Sequence, residues 1–177
     1  MEASAAEQWL QWTIRGSLLL AYSRWLYRLW SPRAITASPS RLDCWLWGFA
    51  FGLFAIHICL SFHWVHNWRH TDAWLQTATE TEAVVGIRRG DGIWANYAMI
   101  AIWACDLVRL CSATRQHRPT SHAVDWSIGL FFGFMFFNAT VVFGPSFYQY
   151  LFVPAMMMAA YCWHGGKSRQ IQSFADS

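Results

Sequence analysis

Residues 63–70 read HWVHNWRH. His63, His66 and His70 stand at i, i+3 and i+7. On one continuous helix their directions would differ by at most about 60°, since each residue turns 100°. His66 and His70 form HxxxH, the spacing that lets two imidazoles grip one metal. His57 lies less than two turns upstream, and Asp72, Glu80, Glu82 and Asp91 follow. Three imidazoles and a carboxylate suit a transition metal such as Zn, Fe, Cu or Ni. The box lacks the Glu of the metalloprotease signature HExxH, so a peptidase is not indicated. With Trp64 and Trp68 interleaved, the same stretch also reads as an aromatic, titratable interface at a membrane surface.

A second group of polar residues sits inside apolar runs, where a polar side chain is costly and worth a functional question. His57, Asn96, Tyr97, Asn138, Thr140, Tyr148, Gln149 and Tyr150 all fall near the same end of their runs. Together they suggest a polar pocket between helices; singly they suggest interhelical hydrogen bonds. Asp106 and Arg109, near the opposite end, are spaced i, i+3 and should pair on one helix face. A lone carboxylate at that depth is thin support for ion transport.

The elements that must hold these residues are long apolar helices. The chain has 177 residues, 55% of them hydrophobic and 18% aromatic, and only 13% charged. Soluble domains carry about 25% charge. A net charge of +3 is no basic face for nucleic acid. Five cysteines (Cys44, Cys59, Cys105, Cys111 and Cys162) show no CxxC pair, so no disulfide framework or zinc ribbon is legible. Four runs are long enough to cross about 30 Å of hydrocarbon as helices: 44–62, 93–111, 126–143 and 147–163. Trp45, Trp47, Trp64, Trp94, Trp126 and Trp163 mark their ends, as membrane-interface indoles do; Trp103 alone lies deep inside a run.

Lys and Arg set the orientation. Arg15, Arg24, Arg28, Arg33 and Arg41 precede the first run. Arg109, Arg115 and Arg118 flank the second and third, and Lys167 and Arg169 lie in the tail. Only Arg69, Arg88 and Arg89 fall in the 63–92 loop. This predicts both termini in the cytoplasm and the loop outside, in a plasma membrane or a bacterial inner membrane. Residues 1–42 carry too many Arg for an easy span and read as a cytoplasmic segment with an interfacial amphipathic helix, its Arg snorkelling. A short fifth span with an outside N-terminus is the alternative. Ser31-Pro32-Arg33 should end that helix, and residues 164–177 form a cytoplasmic tail.

Within the loop, 71–86 predicts a short helix capped by Thr71 or Asp72 and closed by Gly86. Asp91 should cap the second span. Gly48/Gly52 and Gly129/Gly133 repeat the GxxxG spacing of close helix contacts. Pro154 should kink the fourth span. Gly144-Pro145 should turn spans three and four into a hairpin. The fold expected is all-α: a polytopic, four-transmembrane-helix bundle with an in-plane N-terminal helix.

Three functional classes follow. The chain is expected to be a non-catalytic accessory, assembly or structural subunit, with the lipid bilayer and other membrane subunits or further copies of itself as partners. The second class is an outer-facing metal- or cofactor-binding protein, membrane enzymes included, using His57, His63, His66 and His70. The third is a small oligomeric transporter or channel, for which no broken-helix pair is visible.

Overall fold

A computed structural model describes the backbone of residues 5–31 and 38–175, with side chains as far as residue 165. Pro32, Arg33 and the tail cations Lys167 and Arg169 lie outside the described side chains. Among the described residues every regular element is helical: α1 (Ala5–Trp30), α2 (Arg41–Trp64), α3 (His70–Val85), α4 (Gly92–Arg115), α5 (His122–Phe137) and α6 (Ser146–Ala175). A π-helical turn, Asn138–Val142, extends α5.

Local chemistry explains several boundaries. Ser40 Oγ accepts from the Asp43 amide at 3.1 Å and starts α2, occupying a donor that the first turn leaves free. Gly86 closes α3 at φ 74°, a backbone state that suits glycine. Two caps differ from the sequence reading. α3 begins after Arg69 without a side-chain cap, because the preceding turn delivers the chain directly into the helix. Asp91 does precede α4, but its carboxylate takes two bonds from Arg89 at 2.7 and 3.0 Å instead of capping. At the α5–α6 turn, a Cβ on Gly144 would collide with the Thr140 carbonyl, so the turn needs glycine.

The helices pair in sequence order. α1 runs antiparallel along α2: Thr13 and Gly16 meet His57 and Leu53 at one end, Ser17 Oγ donates to the Ala50 carbonyl midway, and Arg24 meets Asp43 at the other. A helix lying in the plane of a membrane that α2 crosses would stand across α2. α1 thus lies along α2 and not across it. Gly16 and Ser17 permit this close approach.

α4 runs antiparallel to α2, with Cys44 against Thr114 and Phe54 stacked on Trp103. α5 runs antiparallel to α4, with Asp125 beside Arg109 and Phe132 edge-on to Trp103. α6 returns alongside α1 in the same direction: Arg15 meets Tyr148, Tyr22 donates to the Ala155 carbonyl and Trp30 stacks on Tyr161. The start of α1 and the end of α6 thus lie at opposite ends of the bundle.

Trp103 is the centre of the core, fully buried. Its ring centroid lies 4.5 Å from Trp47, 4.9 Å from Phe132 and 5.4 Å from Phe54. The outside of the bundle is equally apolar: Trp9, Trp45, Trp94, Trp126, Leu130 and Phe134 are exposed. Surface of this kind on an all-helical chain needs a non-aqueous neighbour.

Among the described residues, three helices are long and apolar enough to cross a membrane: Arg41–Trp64, Gly92–Arg115 and His122–Val142. The fourth expected span, 147–163, is not among them, because Tyr148, Gln149, Tyr150 and Tyr161 dilute its hydropathy. It forms the first half of α6, which continues through the expected tail to Ala175.

The GxxxG pairs do not make the tight contacts. A Cβ on Gly52, Gly129 or Gly133 would meet nothing, and one on Gly48 would sit an ordinary 3.7 Å from Leu107.

Candidate functional site

The densest polar chemistry lies at the bundle end where α1 finishes and α2 starts. Arg24 Nε donates to Asp43 Oδ1 at 2.7 Å, and both side chains are buried. The Arg24 guanidinium lies 4.3 Å over the Trp47 ring, a cation–π contact strengthened by desolvation. Trp47 Nε1 donates to Asp106 Oδ2 at 2.9 Å. Arg109 donates to the other oxygen of Asp106, from Nε at 2.9 Å and Nη2 at 2.6 Å. Nη2 also reaches Asp125 Oδ1 at 2.6 Å. Asp125 Oδ2 takes Arg28 at 2.9 Å and Thr120 Oγ1 at 2.7 Å.

This network joins α1, α2, α4 and α5. It holds Arg24, Arg28 and Arg109 against Asp43, Asp106 and Asp125, so its formal charges cancel. Each carboxylate accepts from at least one guanidinium, and such charge-assisted bonds are the strong ones. Asp106 is therefore no solitary acid: it pairs with Arg109 as its spacing predicted, and with Trp47 besides. Arg24 and Arg28, read as snorkelling, turn inward. Their i, i+4 spacing was the available signal, since it puts both on one face of α1. Asp43 and Asp125 were missed because each sits near the start of its helix, where an acid is expected on dipole grounds alone.

Beside the network, a groove of about 330 Å³ runs between α4 and α5. Ala101, Cys105, Val124 and Ile128 line it together with Asp106 and Arg109, and the surface it presents is apolar.

The histidines do not gather. α2 stops at Trp64, and Asn67 and Trp68 take φ of 49° and 58°, which breaks the single helix that would align His63, His66 and His70. His57 Nδ1 lies 3.0 Å from the Leu10 carbonyl on α1, a contact that requires an N–H there. His63 Nδ1 accepts from Trp68 Nε1 at 3.3 Å. His70 Nδ1 lies 2.9 Å from the Tyr97 hydroxyl, in an aromatic trio with Trp94. His66 is buried against the edge of Phe62. Burial pushes its pKa below the usual value, while Asp72 and Glu80 pull it back up. Among the described residues, no three His, Cys, Asp or Glu side chains stand close enough to hold one metal ion.

The other polar residues of the apolar runs are spent locally. Asn138 Nδ2 and Thr140 Oγ1 donate to the carbonyls one turn back, at 2.8 and 2.7 Å. Gln149 Nε2 donates to the Val141 carbonyl at 3.0 Å, across the π turn. Tyr148 accepts from Arg15 at 3.1 Å. These groups make separate bonds, within one helix for Asn138 and Thr140 and between elements for Gln149 and Tyr148. Asn96 stands apart from these bonds, one residue before Tyr97.

No protein-family model matches this chain, and neither a curated protein nor a solved structure is similar to it.

Proposed function

We propose that this chain is a multi-pass integral membrane protein acting as a non-catalytic accessory or assembly subunit. The observation that carries this reading is the closed Arg–Asp network. A site for chemistry keeps an acid, base or ligand unspent and poised; this network uses its ionisable groups on one another. What the bundle offers outward is apolar and aromatic surface, including Leu130 and Phe134 on α5.

The proposed topology has five crossings, by α1, α2, α4, α5 and α6, with α3 lying outside over α4. The network end faces the cytoplasm. Arg24, Arg28, Arg41, Arg115 and Arg118 belong to that end, as the positive-inside rule requires.

The test is a deletion and a purification. Removing this chain should lower the abundance of a particular membrane protein, and that protein should co-purify with it at a fixed ratio in mild detergent. The Leu130→Ser/Phe134→Ser variant should lose that partner while keeping its own melting temperature. A chain that purifies alone, and whose removal leaves every membrane protein at its normal level, would overturn the assignment.

A further inference from the structure

Five scattered cysteines showed no pairing in sequence, yet the α2–α4 register brings two together. Cys44 Sγ lies 3.0 Å from Thr114 Oγ1. One turn along α2, a Cβ on Gly48 would lie 3.7 Å from Leu107. Leu107, Cys111 and Thr114 follow i, i+4 and i+7 on α4, one stripe of a helix. Cys111 lies between the two residues that touch the Cys44–Gly48 face. The Cys44 thiol accordingly has the Cys111 thiol as an interacting neighbour. Both are half-buried, whereas Cys59 and Cys105 face outward and Cys162 is on α6. Small side chains at 44, 48 and 111 let the two backbones approach, and disulfides usually join Cα atoms about 4.4–6.8 Å apart.

We propose that Cys44 and Cys111 form a reversible modification site: a dithiol that closes to an α2–α4 disulfide by exchange with a small-molecule disulfide. One thiol, as its thiolate, attacks a sulfur of R′S–SR′, giving a mixed disulfide and releasing R′S⁻. The second thiolate attacks the protein sulfur of that mixed disulfide and releases another R′S⁻. Two protein thiols are oxidised, one small disulfide is reduced, and the two protons given up by the cysteines end on the two R′SH products. The second step is fast because the attacking sulfur is already in place.

Placing the dithiol at the cytoplasmic end rests on the proposed topology, and a reducing cytoplasm would hold it open until oxidant rises. The exchange chemistry is independent of that topology. Closure would clamp α2 to α4 beside the Trp47–Asp106 bond.

Purified full-length protein in detergent would be treated with oxidised glutathione, denatured, alkylated with N-ethylmaleimide and weighed. Two of the five thiols should be lost without gain of glutathione mass, dithiothreitol should restore all five, and a peptide pair carrying residues 44 and 111 should appear. Cys44→Ser and Cys111→Ser should each stop at a glutathione adduct on the remaining partner. The Cys59→Ser/Cys105→Ser/Cys162→Ser variant should still close. Phenylarsine oxide, which bridges neighbouring thiols, should bind that triple variant one to one and neither single variant. Five thiols persisting after oxidation, or a bridge containing Cys59, Cys105 or Cys162, would overturn the pairing.

Discussion

Asp43 is the residue on which the network is most exposed to failure. Its carboxylate is the hydrogen-bonded anion for a buried guanidinium. Deleting one member of a buried pair strands the other, at a cost of about 3–5 kcal/mol. Asp43→Leu should therefore lower stability by that order, and Arg24→Met/Asp43→Leu should recover most of it, because apolar replacement of both partners removes the stranded charge. Thermal unfolding in detergent, followed by tryptophan emission, measures both. Equal losses in the single and double variants would show that the pair is not the source. His66 supplies a pH-dependent counterpart. Its folded-state pKa is held low by burial, so the folded state favours the neutral ring. The associated stability is full above the ordinary value of about 6.5 and is lost as pH falls toward the lower folded value. Amide protection across the turn and α3, corrected for the intrinsic pH dependence of exchange, should fall from pH 7.5 to 5.5, and His66→Phe should flatten that dependence. A profile unchanged in the variant would locate the titration elsewhere.

At the scale of elements, glycine context decides what a substitution does. A Cβ on Gly16 would lie 2.9 Å from Leu53 Cδ1, while Gly129 and Gly133 face open space. Gly129→Ala and Gly133→Ala should be neutral or stabilise α5 by about 0.5–1 kcal/mol, the usual gain of alanine in a helix. Gly16→Leu should push α1 off α2 and lower the melting temperature; if it does not, α1 is not packed as closely as its contacts imply. The helices themselves were readable in the sequence, since apolar runs, indoles at their ends and Gly86 are local signals. The Asp106–Arg109 pair was readable for the same reason, being three residues apart. The pairing of α1 with α2 and α5 was not legible, because its arginines were weighed against lipid and not against the acids Asp43 and Asp125. The histidine alignment failed on a local fact of another kind: Asn67 is a residue type that tolerates positive φ, but nothing announces that Trp68 adopts it too.

For the whole molecule, the pairing of helices makes a topological prediction. If α2 crosses a membrane, α1 lies beside it and α6 parallels α1, so an N-terminal and a C-terminal tag should be protected on opposite sides of sealed vesicles. Tags protected on one side would reinstate the four-crossing arrangement and remove α1 from the bundle. The same packing says where the bundle is least tightly held. α4 and α5 meet through the Trp103–Phe132 contact and the Arg109–Asp125 bond, with the groove between them.

The order in which the network's partners are made has a consequence for biosynthesis. Asp43 follows Arg24 by only 19 residues, so the α1–α2 hairpin can leave the ribosome with that charge already matched. Asp125 follows Arg28 by 97 residues. At about 5–20 residues per second, Arg28 waits roughly 5–20 s for its counterion. During that interval the nascent hairpin carries an unmatched guanidinium at its edge, a handle by which an insertase or chaperone could hold it until α5 arrives.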